Sequence, residues 1–68
     1  MKLMIVFESD YDVFDEEKMS KESMREVFEA FHAGEKRLLV PVRVDGAVTT
    51  SVTNADYVVS VALIEEDN

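Results

Sequence analysis

The residues best suited to chemistry lie in one acidic segment near the amino terminus. Two residues after Glu8, the chain begins to interleave carboxylates with two aromatic side chains, in the run Asp10-Tyr11-Asp12-Val13-Phe14-Asp15-Glu16-Glu17. Aromatic side chains are frequent anchors at protein interfaces, and carboxylates suit the lysines and arginines of a partner. The competing interpretation is an ordinary loop in which Phe14 or Val13 folds back onto the core.

The same segment is a weak candidate for a metal site. Asp10, Asp12 and Asp15 offer the oxygen ligands that hard cations prefer, but Phe14 occupies a ligand position of the EF-hand pattern and its glycine is missing. The chain has no cysteine and only one histidine, His32, so thiolate chemistry and histidine-based triads lack parts. We therefore expect no metal, no cofactor and no catalytic group.

The charge of the chain is concentrated in two segments. Fifteen acidic and seven basic residues give a net charge of -8 over 68 residues. Residues 8–17 contain no basic residue, and a second acidic segment closes the chain with Glu65, Glu66 and Asp67. This balance disfavours direct binding to nucleic acid or to an anionic membrane, and it favours a partner protein with a basic surface.

The elements that position these charges begin with a strand and a helix. The apolar run within residues 2–8 predicts a central strand, covered on both faces, and residues 9–19 are interpreted as a loop. An apolar face at helical spacing predicts a helix over residues 20–33 that is capped by Ser20 and stopped at Gly34, and the capping-box pattern of residues 23–26 offers an alternative start. That face is formed by Met24, Val27, Phe28 and Phe31.

Three further strands are predicted in the second half of the chain. Residues 38–44 have a period of two with one strongly apolar face, formed by Leu38, Val40, Val42 and Val44, and Pro41 favours an edge or a bulge at its position. Residues 48–53 are rich in valine and threonine. Residues 57–64 form the last strand, with its apolar face on the odd positions Tyr57, Val59, Val61 and Leu63.

Asp45-Gly46 indicates a hairpin between the first two of these strands. A two-residue turn would place Val44 opposite Ala47, whereas a three-residue loop over residues 45–47 would place Val44 opposite Val48. The second register is preferred because it buries the valines together.

This order predicts one small acidic domain over residues 1–68, of class α+β, with a single helix packed on a mixed four-stranded sheet. A right-handed crossover would make the first two strands parallel. The acidic loop, Asp45 and the acidic tail would then share one end of the sheet, as an acidic pole, with Lys2, Lys36 and Arg37 at the other end.

We expect a non-catalytic module that docks on a basic surface of a partner protein, a nucleic-acid-binding enzyme being one candidate, and blocks it. In size, charge and absence of catalytic parts, the chain resembles the small acidic inhibitor proteins that phages and mobile elements encode against host nucleic-acid enzymes. The expected partner-binding residues are the charged and aromatic side chains of the two acidic segments: Glu8, Asp10, Tyr11, Asp12, Phe14, Asp15, Glu16, Glu17, Glu65, Glu66 and Asp67.

The alternative function is a homo-oligomeric structural or regulatory protein, such as a homodimer, that pairs through its sheet edges. No apolar run has the length of a signal-peptide core or a membrane span, so the expected location is the cytoplasm.

Overall fold

A computed structural model describes residues 1–66, so Asp67 of the predicted surface lies outside the described residues. Along these residues the elements are β1 (Lys2–Phe7), β2 (Tyr11–Phe14), α1 (Lys21–His32), β3 (Arg37–Val44), β4 (Ala47–Asn54) and β5 (Val58–Ile64). The α+β class and the one helix are confirmed. The single mixed four-stranded sheet is wrong, because the strands form two antiparallel sheets, ordered β2-β1-β5 and β3-β4.

The position of β1 explains why the predicted topology fails. β1 is central, as predicted, but residues 9–19 are not only a loop, because they contain β2. The Phe7 N–H donates to the Asp10 carbonyl at 2.8 Å, and this turn sends β2 back along one edge of β1. Since β5 occupies the other edge, β3 has no place beside β1 and the predicted parallel crossover is wrong.

The helix is confirmed together with its two ends. Ser20 caps it, since the Ser20 Oγ accepts from the Ser23 N–H at 3.1 Å. Gly34 ends it with a φ of 83°. The Glu35 N–H then donates to the Ala30 carbonyl at 3.0 Å, which is the left-handed stop that glycine permits.

The core lies between α1, the inner face of the three-stranded sheet and the inner face of the β3-β4 hairpin. It consists of aliphatic and methionine side chains from β1, α1, β3 and β5 and from the segment before α1: Leu3, Ile5, Met19, Met24, Val27, Leu38, Val40, Val58 and Val61. The outer face of β1 is only half-buried, so the prediction that both of its faces are covered is wrong.

The preferred register of the hairpin is also wrong. Val44 pairs with Ala47 and Val42 with Thr49, as a two-residue turn requires. Asp45 and Gly46 both have positive φ values, 51° and 81°, which is the backbone of a type I′ turn. Turn geometry decides the register because β4 is exposed on both faces, apart from half-buried Thr53, so there is no buried face on which its valines could be matched.

This register fixes which backbone groups of the hairpin face outward. Hydrogen-bonded and non-bonded pairs alternate from the turn, so Pro41 and Thr50 form a non-bonded pair, where the missing N–H of proline costs the hairpin nothing. Arg43 is in the next non-bonded pair, and its N–H donates instead to the Lys18 carbonyl at 2.8 Å. The outer edge of β3 is therefore occupied at Arg43 and has no donor at Pro41.

The last strand departs from strict alternation. The β1-β5 register shifts between Val6 and Phe7, so that Val58 pairs with Phe7 while Ser60 pairs with Val6. This bulge turns Val59 outward and Val58 into the core, and Tyr57 precedes the strand in a 3-10 turn. The predicted apolar face on odd positions is therefore wrong for the first half of the strand, and Val61 is its first buried odd-numbered residue.

Candidate functional site

An open cleft forms where the carboxyl end of β1 meets the amino end of β5. The two ends are neighbours because the strands are antiparallel, with Phe7 opposite Val58. The turn after β1 and the turn before β5 therefore lie side by side and border an open cleft of about 510 Å³. This surface, called the tyrosine cleft below, is lined by Phe7, Glu8, Ser9, Asp10, Asp56, Tyr57 and Val59.

Local hydrogen bonds hold the β5 side of the tyrosine cleft. The Asn54 Oδ1 accepts from the Asp56 N–H at 2.9 Å and so caps the 3-10 turn that carries Asp56 and Tyr57. The Ala55 N–H donates to the Lys36 carbonyl at 2.9 Å, which ties this turn to the residue before β3. The backbone is therefore fixed while the Tyr57 side chain remains 72% exposed.

The carboxylates of the tyrosine cleft have no ion-pair partner within residues 1–66. The ion pairs of this part of the chain all involve Glu16 or Glu66, and none reaches Glu8, Asp10 or Asp56. These three side chains are exposed and like-charged. No ion pair within residues 1–66 therefore neutralises these three carboxylates.

A second group of carboxylates lies at the opposite end of the three-stranded sheet. β2 ends opposite Leu3 and β5 ends opposite Lys2, so the acidic residues that follow these strands gather at the amino end of β1. This amino-end cluster consists of Asp15, Glu16, Glu17, Glu65 and Glu66.

The protein's own cations neutralise part of the amino-end cluster. The amino group of Met1 lies 2.7 Å from the Glu16 Oε2, and the Lys2 Nζ lies 2.9 Å from the Glu66 Oε1. These hydrogen bonds lower the pKa of Glu16 and of Glu66, and the bond to Glu66 raises the pKa of Lys2. Because the two carboxyl pKa values are lowered, the pairs stabilise the fold at neutral pH and are lost as the pH falls through those values.

The predicted single acidic pole is therefore wrong for Glu8 and Asp10, although Asp15, Glu16 and Glu17 do lie at the same end of the sheet as Glu65 and Glu66. Antiparallel pairing separates Glu8 and Asp10 from the acidic tail by the length of β1, and it places Lys2 beside the tail rather than opposite to it. The physical reason is that two strands with opposite directions bring their carboxyl ends to opposite ends of the sheet.

Some of the other side chains of the predicted surface are exposed, and one packs against the core. Tyr11 is 65% exposed on the outer face of β2, close to Asp10, and Asp12 is exposed along the same strand. Phe14 packs against the core, as the competing loop interpretation proposed, while Val13 is exposed. His32 is exposed at the end of α1, where its Nδ1–H donates to the Phe28 carbonyl at 2.8 Å.

Asp56, Tyr57 and Val59 are the residues of the tyrosine cleft that the sequence analysis missed. They follow the third predicted strand, about fifty residues after Glu8 and Asp10 in the chain. Only the pairing of β1 with β5 brings them together, and no local pattern encodes that pairing. A tyrosine directly after the turn-forming residues 54–56 was the one local signal in the sequence.

Within residues 1–66, no group of three or more histidine, cysteine, aspartate or glutamate side chains is arranged to hold a metal ion. The same residues contain no helix with the length and apolar character needed to cross a membrane. Comparisons of the chain with protein-family models, with curated proteins and with solved structures found no match.

Proposed function

We propose that the protein is a non-catalytic binding module that docks through the tyrosine cleft on a basic surface of a partner protein and blocks that surface. One observation carries the proposal: three carboxylates without ion-pair partners in the described chain surround an exposed tyrosine in a preformed cleft. A partner would supply the cations that residues 1–66 do not provide there.

The chemistry of the cleft suits an arginine or lysine side chain. Glu8, Asp10 and Asp56 can accept hydrogen bonds from a guanidinium or an ammonium group, and these charge-assisted bonds are stronger than neutral ones. The Tyr57 ring can stack on the cation, and Phe7 and Val59 offer apolar contact to its aliphatic stem. The cleft thus combines the tyrosine anchor and the charge complementarity that are common at protein interfaces.

The net charge favours a protein as the partner. A chain with a net charge of -8 repels nucleic acid and anionic lipid, but it is attracted to the basic surfaces of proteins that hold them. A nucleic-acid-binding enzyme is one class of partner that fits, because occupying its basic surface would exclude its substrate.

The test compares two triple variants that change the net charge equally. The site variant is Glu8→Gln/Asp10→Asn/Asp56→Asn, and the control variant is Glu22→Gln/Glu26→Gln/Glu29→Gln, which neutralises exposed residues of α1. Partners are first captured from a lysate of the native host at low salt and purified, and their affinity for each variant is then measured by calorimetry. We expect the site variant to lose at least about tenfold in affinity and the control to stay within about threefold.

Two further measurements separate the cleft from general electrostatics. Affinity for the captured partner should fall steeply as salt rises, and Tyr57→Ala should weaken binding more than Tyr57→Phe, which keeps the ring. Equal losses in the two triple variants, or binding that is indifferent to salt, would contradict the proposal.

A further inference from the structure

The outer edge of β4 is the longest unprotected strand edge in residues 1–66. β4 contains eight residues, Ala47–Asn54, none of which is charged or a proline, and its pairing with β3 has no bulge. Proteins usually blunt exposed edges with charges, prolines, bulges or short length. The other outer edges show such devices: β2 has four residues including Asp12, and β5 has a bulge near Val59.

The backbone groups along this edge point outward. Because Val44 and Ala47 form the bonded pair next to the turn, the alternating pattern leaves Val48, Thr50 and Val52 with N–H and C=O groups directed away from β3. None of these groups bonds to another backbone group within the described chain. They form a ladder ready for one more antiparallel strand.

We propose that this edge pairs with the same edge of a second copy of the chain, so that two hairpins form one antiparallel sheet in the order β3-β4-β4-β3. This surface is separate from the tyrosine cleft, since no residue of β4 lines that cleft. A single hairpin is a marginal sheet in water, and four strands give each backbone ladder more neighbours.

The lack of charge on β4 favours a second copy as the occupant. In a chain with a net charge of -8, most surfaces repel a second copy, but β4 contains no charged residue, so two β4 edges can approach each other without that repulsion. A β4 strand is also matched to itself in length. The contact is smaller than a standard protein interface, so the dimer should form in a concentration-dependent way.

One register uses the whole strand. If Ser51 lies on the two-fold axis, Val48 pairs with Asn54 of the other copy and Thr50 with Val52, so the outward-pointing groups of all four residues bond. Ser51 then faces Ser51 in a non-bonded pair, in which the two Cα atoms are about 4.5 Å apart. Thr49 lies on the same face of β4, but its two copies are about 14 Å apart.

A pair of cysteine variants tests this register directly, because the native chain contains no cysteine. Disulfides form between Cα atoms about 4.4–6.8 Å apart, so Ser51→Cys should cross-link under mild oxidation at least about tenfold faster than Thr49→Cys. Both sites are exposed on the same strand and face, which makes Thr49→Cys a matched control. Equal rates would overturn the proposal.

The native chain provides the second measurement, by sedimentation equilibrium over a range of concentrations. We expect a dimer that strengthens with salt, because salt screens repulsion between two chains of charge -8. Docking on a basic partner should weaken with salt, so the two proposals can fail independently. A chain that stays monomeric at about 1 mM in high salt, where screening is nearly complete, would also overturn this one.

Thr50→Pro removes one outward N–H and no bond within the hairpin, since Thr50 lies opposite Pro41 in a non-bonded pair. We expect this variant to be monomeric with an unchanged circular dichroism spectrum, and a folded variant that still dimerises would contradict the inference. If the variant unfolds, the cysteine pair still decides the outcome.

Discussion

Leu38 and Leu39 are neighbours in the chain and have opposite surroundings. The side chain of Leu38 is 0% exposed in the core, whereas that of Leu39 is 61% exposed on the outer face of the hairpin. The difference arises because successive side chains of a strand point to opposite faces. The two leucines therefore form a matched pair for measuring how much of the stability depends on the core.

Leu38→Ala should lower the free energy of unfolding by about 2–5 kcal/mol, because it removes apolar contacts and leaves a cavity. Leu39→Ala should change it by less than about 0.5 kcal/mol, since the side chain is largely in water already. Urea denaturation followed by circular dichroism measures both. Similar losses in the two variants would show that the hairpin does not pack on α1 through its even-numbered residues.

At the scale of elements, the hairpin depends on a turn with an unusual backbone. Gly46 has a φ of 81° and open space where a Cβ would lie, so a side chain there meets no neighbour and only the backbone conformation resists it. Gly46→Ala should therefore destabilise the protein by about 1 kcal/mol.

Asp45→Asn is the matched control for this turn, because asparagine also tolerates the positive φ of 51° found at Asp45. Its free energy of unfolding should stay within about 0.5 kcal/mol of the native value. Denaturation curves of both variants test the turn. If Gly46→Ala leaves the free energy of unfolding unchanged, the loop adopts another register in solution.

The helix was predictable because its determinants are local. Ser20 caps the first turn, Met19 and Met24 occupy the positions that fix its entry, and Gly34 supplies the left-handed stop. All of these contacts lie within about one turn of each helix end, so the order of residues alone contains them.

The sheets were not predictable because strand partners are chosen by competition among distant segments. β2 has only four residues and includes Asp12, so its pattern resembles a loop, yet it takes the edge of β1 that the parallel crossover required. The prediction of the hairpin register was wrong for a related reason. Pairing valines across the hairpin stabilises a register only where the valines are buried, and those of β4 are exposed. The tyrosine cleft depends on the pairing of β1 with β5, so it could not be predicted without that pairing.

At the scale of the whole molecule, the excess of negative charge opposes folding. The tyrosine cleft is lined by Glu8, Asp10 and Asp56, none of which forms an ion pair inside the described chain. We expect these like charges to repel one another in the folded state, and salt to screen that repulsion.

We therefore expect added salt to raise the thermal midpoint of the native chain. At low salt, Glu8→Gln/Asp10→Asn/Asp56→Asn should melt at a temperature equal to or above that of the native chain, and its midpoint should respond less to salt. Differential scanning fluorimetry at several salt concentrations measures both effects, at protein concentrations low enough to keep the chain monomeric. A triple variant that melts well below the native chain would show that these carboxylates stabilise the fold.

The two outer edges of the hairpin differ in their ability to pair with a further strand. β4 offers a complete row of donors and acceptors, but on β3 the row is interrupted at Pro41 and taken up by Lys18 at Arg43. Once two copies have joined through β4, the strands left outermost are both β3, and neither can accept a third molecule in the same way. In the dimer that we propose, Pro41 would thus limit self-association to a closed pair and prevent further hairpins from adding to the sheet.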